Sequence, residues 1–156
     1  MKLRRLINLP VFDEHTAQIV GRVIKAVIGD DFRLSYLVIE SPQGYGILRR
    51  QDLQLSNDAV CIKNIRSIKP YNNREELSIY NRKIGDTVYD HTGRELGIVS
   101  DFVLAPDVYQ IRGVELSRGA IKDMLNGRSE VELNSISWKS PLTAVARLEG
   151  SELNDN

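Results

Sequence analysis

The sequence predicts a mainly all-β protein: two small antiparallel β-barrels in tandem, with one short helix in the second. Three observations carry that prediction. The chain repeats itself. Val11-Phe12-Asp13, His15-Thr16, Gly21-Arg22-Val23 and Val27 return as Val88-Tyr89-Asp90, His91-Thr92, Gly97-Ile98-Val99 and Val103, and after a one-residue gap between the Asp and the Gly the offset is 76 residues. A repeat of that length exceeds a solenoid unit and suits one small domain. Finally, short segments rich in Val, Ile and Tyr alternate with Gly, Asp, Asn and Pro, the pattern of brief strands joined by turns.

In chain order, the first copy should place strands at Pro10–Phe12, Ile19–Ile28, Leu34–Glu40, Gly46–Leu48 and Ala59–Lys63. The second should place them at Thr87–Tyr89, Glu95–Leu104, Tyr109–Leu116 and Glu130–Leu133. Asp90-His91-Thr92-Gly93 opens with a turn-forming Asp and closes with a Gly able to take positive φ. The first copy departs there, with Ala17 in place of Gly93 and an extra residue, Glu14. Gly29-Asp30-Asp31 and Ala105-Pro106-Asp107 close the next hairpin in each copy. Gly21 and Gly97 stand where a strand begins, so a bend or a close backbone approach is expected at both. Ser117 to Gly127 reads as a short helix, with a Ser cap, apolar residues at Ile121, Met124 and Leu125, and a terminal Gly. Its counterpart in the first copy is a weak one, Arg49 to Leu53. The expected layout is a first barrel over residues 1–70, a polar linker over 71–83, a second barrel over 84–147 and a polar tail over 148–156.

Composition narrows the function. Formal net charge is zero, with 21 Lys and Arg against 21 Asp and Glu, which argues against a protein devoted to non-specific nucleic-acid binding. The halves differ, however. Residues 1–70 carry 11 basic and 7 acidic side chains, and residues 71–156 carry 10 and 14, so the first copy is the one suited to an anionic partner. A copy of about this size buries a modest share of its surface and should lean on the other copy or on a partner. Cys61 is the single cysteine, which excludes an internal disulfide and a Cys-paired zinc site. Its apolar setting, Ala59-Val60-Cys61-Ile62, predicts burial. Apolar runs such as Tyr36–Ile39 fall far short of a membrane span, and the N-terminus has no signal-like stretch. The expected location is the cytoplasm, without membrane insertion.

The repeated text, an apolar residue before Val-(Phe/Tyr)-Asp, a polar turn, then Gly-x-Val opening a long strand, resembles the PRC-barrel family, named for the cytoplasmic domain of the photosynthetic reaction-centre H subunit. The clearest stretch runs from Ile84-Gly85-Asp86-Thr87-Val88-Tyr89-Asp90 through Gly97-Ile98-Val99-Ser100-Asp101. With both copies counted, the chain resembles the tandem PRC-barrel proteins of bacteria, and Ser117 to Arg128 is similar to a segment of that group. The resemblance implies a non-enzymatic docking barrel and carries over no catalytic residue. The family includes the H subunit, half of a ribosome maturation factor that binds a ribosomal protein, and partner-recruiting proteins of cell division.

The residues themselves show no catalytic constellation. There is no Gly-x-Ser-x-Gly elbow, no Cys with a His partner, and Gly44-Tyr45-Gly46 lacks the rest of a phosphate loop. His15 and His91 fall at equivalent turns beside Asp13, Glu14 and Asp90, but each turn supplies too few ligands for a zinc ion, so both are expected to be exposed turn residues. No enzyme activity, cofactor or metal site is therefore expected. The expected function is protein–protein docking through strand edges and loops, with anchors among Tyr45, Arg49, Arg50, Tyr109 and Trp138. The alternative is a ribosome- or RNA-associated maturation factor, favoured if Arg49, Arg50, Lys63, Arg66 and Lys69 line one face with Tyr45 and Tyr71 as stacking surfaces. Trp138, the only tryptophan, also suits a closing strand or a barrel-to-barrel contact. The composition is compatible with a homo-oligomer.

Overall fold

The same strand order is built twice in the computed structural model, which describes residues 1–71, 78–140 and 143–146. The first sheet contains β1 (Pro10–Asp13), β2 (Gln18–Ile28), β3 (Leu34–Ser41), β4 (Gly44–Arg49), β5 (Gln54–Leu55), β6 (Val60–Ile62) and β7 (Lys69–Pro70), in the order β5-β6-β1-β2-β3-β4-β7. The second contains β8 (Thr87–Tyr89), β9 (Glu95–Ala105), β10 (Gln110–Ser117), β11 (Ser129–Glu132), β12 (Ile136–Ser140) and β13 (Thr143–Ala146), in the order β12-β13-β8-β9-β10-β11. In both, the first strand pairs antiparallel with the second and parallel with a late strand, Val11 opposite Val60 and Val88 opposite Ala144. Both are small barrel-like sheets.

The repeat reaches into details of register. The first hairpin carries a bulge between Val11 and Phe12, and its copy carries one between Val88 and Tyr89. Beside each bulge stands the repeated glycine. A Cβ on Gly21 would lie 2.6 Å from the Glu40 carbonyl oxygen, and one on Gly97 2.8 Å from that of Ser117. These are backbone atoms that cannot step aside, so the close approach expected from the sequence is the reason for glycine at both sites. At the polar turn, Asp90 accepts hydrogen bonds from Thr92 N, Thr92 Oγ1 and Arg94 N, and Gly93 has φ +86°. In the first copy Asp13 accepts from His15 N and Thr16 Oγ1, but the left-handed position falls on Ala17, φ +56°.

Apolar alternation sets the cores. Val11, Val23, Ile28, Leu34, Leu37, Ile39, Leu48, Val60 and Ile62 are buried in the first copy; Val88, Val99, Phe102, Val114 and Val131 are buried in the second. Each such side chain contributes about 1.5–3 kcal/mol on burial. The chain divides into two compact units, residues 1–79 with 104–111, and residues 80–103 with 112–156. The tip of the β9–β10 hairpin thus belongs to the first unit. There Leu34 N donates to Tyr109 O and Ile111 N to Phe32 O, both at 2.8 Å.

Several expectations need correction. The proposed linker, 71–83, contains helix α1 (Ile79–Lys83), while residues 72–77 and the expected tail, 148–156, lie outside the described residues. Strands β5, β7 and β13 are additional to those expected, whereas β12 is the closing strand that Trp138 suits. Cys61 is half-buried, because the two-residue period of β6 turns Val60 and Ile62 inward instead. Helix α2 (Ala120–Asn126) forms where expected, but its N-cap is Gly119 and Ser117 does not cap it. Met124 and Leu125 face solvent, not a core. Arg49 to Leu53 is not its counterpart. Arg50–Asp52 is a 3₁₀ turn after β4, matched by Leu133–Ser135 after β11, and α2 is an insertion between β10 and β11.

Candidate functional site

In β4, alternation buries Gly46 and Leu48 and puts Tyr45, Ile47 and Arg49 on the other face. Register then assembles that face. Tyr45 pairs with Glu40, Ile47 with Val38 and Arg49 with Tyr36, while Lys69 of β7 pairs with Ile47. A shift in the β2–β3 ladder brings Lys25 opposite Val38. Paired residues share a side of the sheet, so Lys25, Tyr36, Tyr45, Arg49 and Lys69 form one surface of the first unit.

Two neighbouring grooves run along it. One, of about 520 Å³, lies among Ile24, Lys25, Val38, Tyr45 and Tyr71. Its wall is an edge-to-face pair of Tyr45 and Tyr71, ring centroids 6.4 Å apart, with Tyr45 58% exposed. The other, of about 390 Å³, is lined by Asp31, Arg33, Tyr36, Ile47, Arg49 and Arg50 among others. The Asp31 carboxylate is engaged by the Arg33 backbone N–H at 3.1 Å. Among the described residues, Lys25, Arg33, Arg49 and Arg50 form no ion pair, whereas Arg22 is held by Glu40 at 2.9 Å. Among the described residues, this surface therefore offers cations without carboxylate partners, beside the exposed ring of Tyr45.

Of the five candidate anchors, Tyr45, Arg49 and Arg50 come together here. Tyr109 does not join them. It is half-buried, its hydroxyl donates to Leu53 O at 3.0 Å and its φ is +56°, so its visible role is to hold the hairpin tip within the first unit. Trp138 stands on β12 in the second unit, half-buried, with the Lys83 ammonium 4.5 Å from its ring centroid. Lys63 and Arg66 are exposed but do not line either groove; Lys69 Nζ donates to Arg66 O at 3.1 Å. Lys25, Arg33 and Tyr36 were missed by sequence reasoning, because pairing across a bulged ladder is not a local signal. The sheet of this unit ends in two-residue strands, β5 and β7, with Pro70 in the latter, so it gives a partner strand little edge to pair with.

His15 and His91 are exposed in their turns, and no cluster of metal-ligating side chains occurs among the described residues. The perturbed carboxyls lie in the second unit. Hydrogen bonds, first from Thr92 and then from the Arg94 backbone, hold Asp90 below the usual carboxylate range. The Ser117 hydroxyl, then the Arg118 backbone, does the same for Asp123. Burial pushes Asp86 up, opposed by the Lys83 charge, and its Oδ2 has no hydrogen-bond partner among the described residues. No described helix is long and apolar enough to cross a membrane.

A family model described as PRC-barrel domain matches residues 75–139. No curated protein matches the sequence.

Proposed function

Because residues 75–139 are a PRC-barrel domain, we propose that the chain is a non-enzymatic docking module of the cytoplasm, that its first unit is a diverged copy of the same domain, and that this first unit grips another protein through the β3–β4 face. The observation that carries the reading is the convergence of Lys25, Arg33, Arg49 and Arg50, which form no ion pair among the described residues, around two grooves, one of them walled by Tyr45 and Tyr71. Exposed cations and aromatic rings are the residues that supply most of the affinity in interfaces. The partner segment should be acidic, because carboxylates are the bidentate acceptors that suit those guanidinium groups.

A second reading has one observation in its favour. Arg33, Arg49 and Arg50 share a groove next to two stackable tyrosines, an arrangement that also suits single-stranded RNA. The zero net charge of the whole chain and the Arg22–Glu40 pair on the same face weigh toward protein. Fluorescence anisotropy with a labelled Glu-rich peptide and a labelled single-stranded RNA separates the two. The peptide should bind with micromolar affinity, and Arg49→Glu with Arg50→Glu should weaken it by about a hundredfold, on the order of 1.4 kcal/mol for each arginine. Thermal stability should stay within about 0.5 kcal/mol, as for ordinary surface changes. RNA binding that exceeds peptide binding and falls steeply with salt would reverse the order of the two readings.

A further inference from the structure

The two grooves of the β3–β4 face offer different chemistry, and together they narrow what the face can hold. One is lined by Arg33, Arg49 and Arg50, with Ser35 and Gln51 beside them. Among the described residues its one acidic lining residue is Asp31, whose Oδ1 turns back into its own loop. That oxygen accepts from Arg33 N at 3.1 Å and stands 2.9 Å from where a Cβ on Gly29 would lie. The three arginine side chains form no ion pair or hydrogen bond among the described residues. Each guanidinium is permanently charged and carries its donors in a rigid fork. A carboxylate brings one charge and pairs with one fork. A phosphate monoester brings about −1.5 to −2 and three strong acceptor oxygens, which suits three guanidinium groups around one groove.

The second groove adds an apolar contact at a set distance. Tyr45 on its wall and Arg49 in the first groove share a face of β4, four residues apart. At about 3.3 Å per residue that is roughly 13 Å along the strand. An extended segment lying along β4 therefore meets the arginines and the Tyr45–Tyr71 pair with side chains four positions apart.

Resting on the docking reading above, we propose that this face recognises a phosphorylated segment of its partner protein. The phosphate sits among Arg33, Arg49 and Arg50, and an apolar side chain four residues away packs against Tyr45 and Tyr71. Phosphorylation of the partner thereby switches docking on. The cations favour a concentrated anion over an extended one: three arginines line a single groove of about 390 Å³, while Lys63 and Arg66, which could follow a longer anionic backbone, line neither groove. A nucleic-acid strand spreads one charge per phosphate along its length and gains from a tract of cations, not from one pocket of them.

The test uses the full chain and two labelled peptides of one sequence, each with a leucine four residues from a position that carries phosphoserine in one and Glu in the other. The phosphoserine peptide should bind at least about tenfold tighter, the gain from one further charge-assisted hydrogen bond. Lowering the pH from 7.5 to 5.5 should weaken the phosphoserine peptide by roughly fourfold, because its second pKa is about 6, and leave the Glu peptide nearly unchanged. Arg33→Gln, at an exposed position, should remove most of the difference between the peptides without lowering the melting temperature, and Arg50→Gln should do the same. Equal binding of the two peptides would overturn the proposal and leave the docking reading standing. Binding of neither would overturn both. Free phosphoserine that competes as well as the phosphopeptide would reduce the groove to a small-anion site, and a single-stranded RNA that displaces the phosphopeptide at lower concentration would make it a nucleic-acid site; either result overturns the proposal.

Discussion

At the turn after its third strand, each copy of the repeat goes its own way. The first crosses from β3 to β4 in a tight turn and leaves the adjoining face open, lined by Lys25, Arg49 and two tyrosines. The second inserts α2 and ties it down through Glu115 and Arg128. Yet the ladders beneath share strand order, bulge and glycine contact. Backbone geometry has been kept while side chains and one turn have been changed. Two barrel-like sheets of shared strand order can present different faces, because register is held by residues that take no part in either face.

The strongest way to break the comparison is to attack what the copies share. Gly97→Ala should cost about 3 kcal/mol: a Cβ pressed against the Ser117 carbonyl is an overpacking penalty of about 1–3 kcal/mol, and φ +151° adds strain for any L residue. Gly21→Ala should cost about 2 kcal/mol, since it meets the Glu40 carbonyl without the positive φ. Urea unfolding measures both. A cost below 0.5 kcal/mol for either would mean the glycine contact is not what sets the strand crossing.

A smaller and opposite effect should come from making the second copy more like the first. Leu9 N donates to Leu6 O, and Asp86 N to Lys83 O; Val23 N donates to Leu9 O, and Val99 N to Asp86 O. Lys83 and Asp86 therefore stand where the first copy has Leu6 and Leu9. Replacing buried charged groups by apolar residues is often neutral or stabilising, and Asp86 Oδ2 has no hydrogen-bond partner among the described residues. Lys83→Leu with Asp86→Leu should raise stability at neutral pH by about 1 kcal/mol. The sign with pH follows from the raised carboxyl. Its contribution to folding is complete below the ordinary carboxylate pKa and is lost as pH rises through its raised value. The advantage of the variant should therefore shrink as pH falls from 7 to 4. An advantage that grows in acid would show that Asp86 is stabilised as a carboxylate.

The same pair explains what could and could not be read from the sequence. The repeat was legible from Val11 and Val88 onward, because its apolar, Asp and Gly positions answer to strand period and turn chemistry. It was not legible upstream, where Leu6 and Leu9 become Lys83 and Asp86 and the matching backbone bonds leave no trace in residue type. Helix α1 accordingly falls within the linker that the sequence predicts. Strands β5 and β7 are two residues long and have no period to detect. The site was legible as far as β4 alternation reaches, to Tyr45 and Arg49. Lys25 and Arg33 come from other strands and turns, placed by a bulged register that no local pattern announces.

Making the first copy more like the second should yield a modest gain. Ala17→Gly removes a left-handed alanine at the position of Gly93, where an L side chain costs about 1–2 kcal/mol. The greater freedom of glycine in the unfolded chain takes back part of it, so the expected net gain is about 0.5 kcal/mol in thermal unfolding. A loss would mean the two polar turns are not equivalent in conformation.

The smallest effect concerns the insertion alone. Asp123 is held below the usual carboxylate range chiefly by the Ser117 hydroxyl, so the stability it supplies is present above the ordinary carboxylate pKa and is lost as pH falls through the depressed value. Ser117→Ala removes the largest cause and should shift acid unfolding of the second unit slightly toward higher pH, read by amide exchange of residues 112–128, with the strands of the first unit unchanged. The shift should come with faster exchange in α2, because Asp123 also accepts from the Arg118 backbone and from Arg128. If α2 exchanged at its former rate while acid unfolding moved, Ser117 would be tuning a charge without holding the helix. The copies would then differ in pH response without differing in the order of their surfaces.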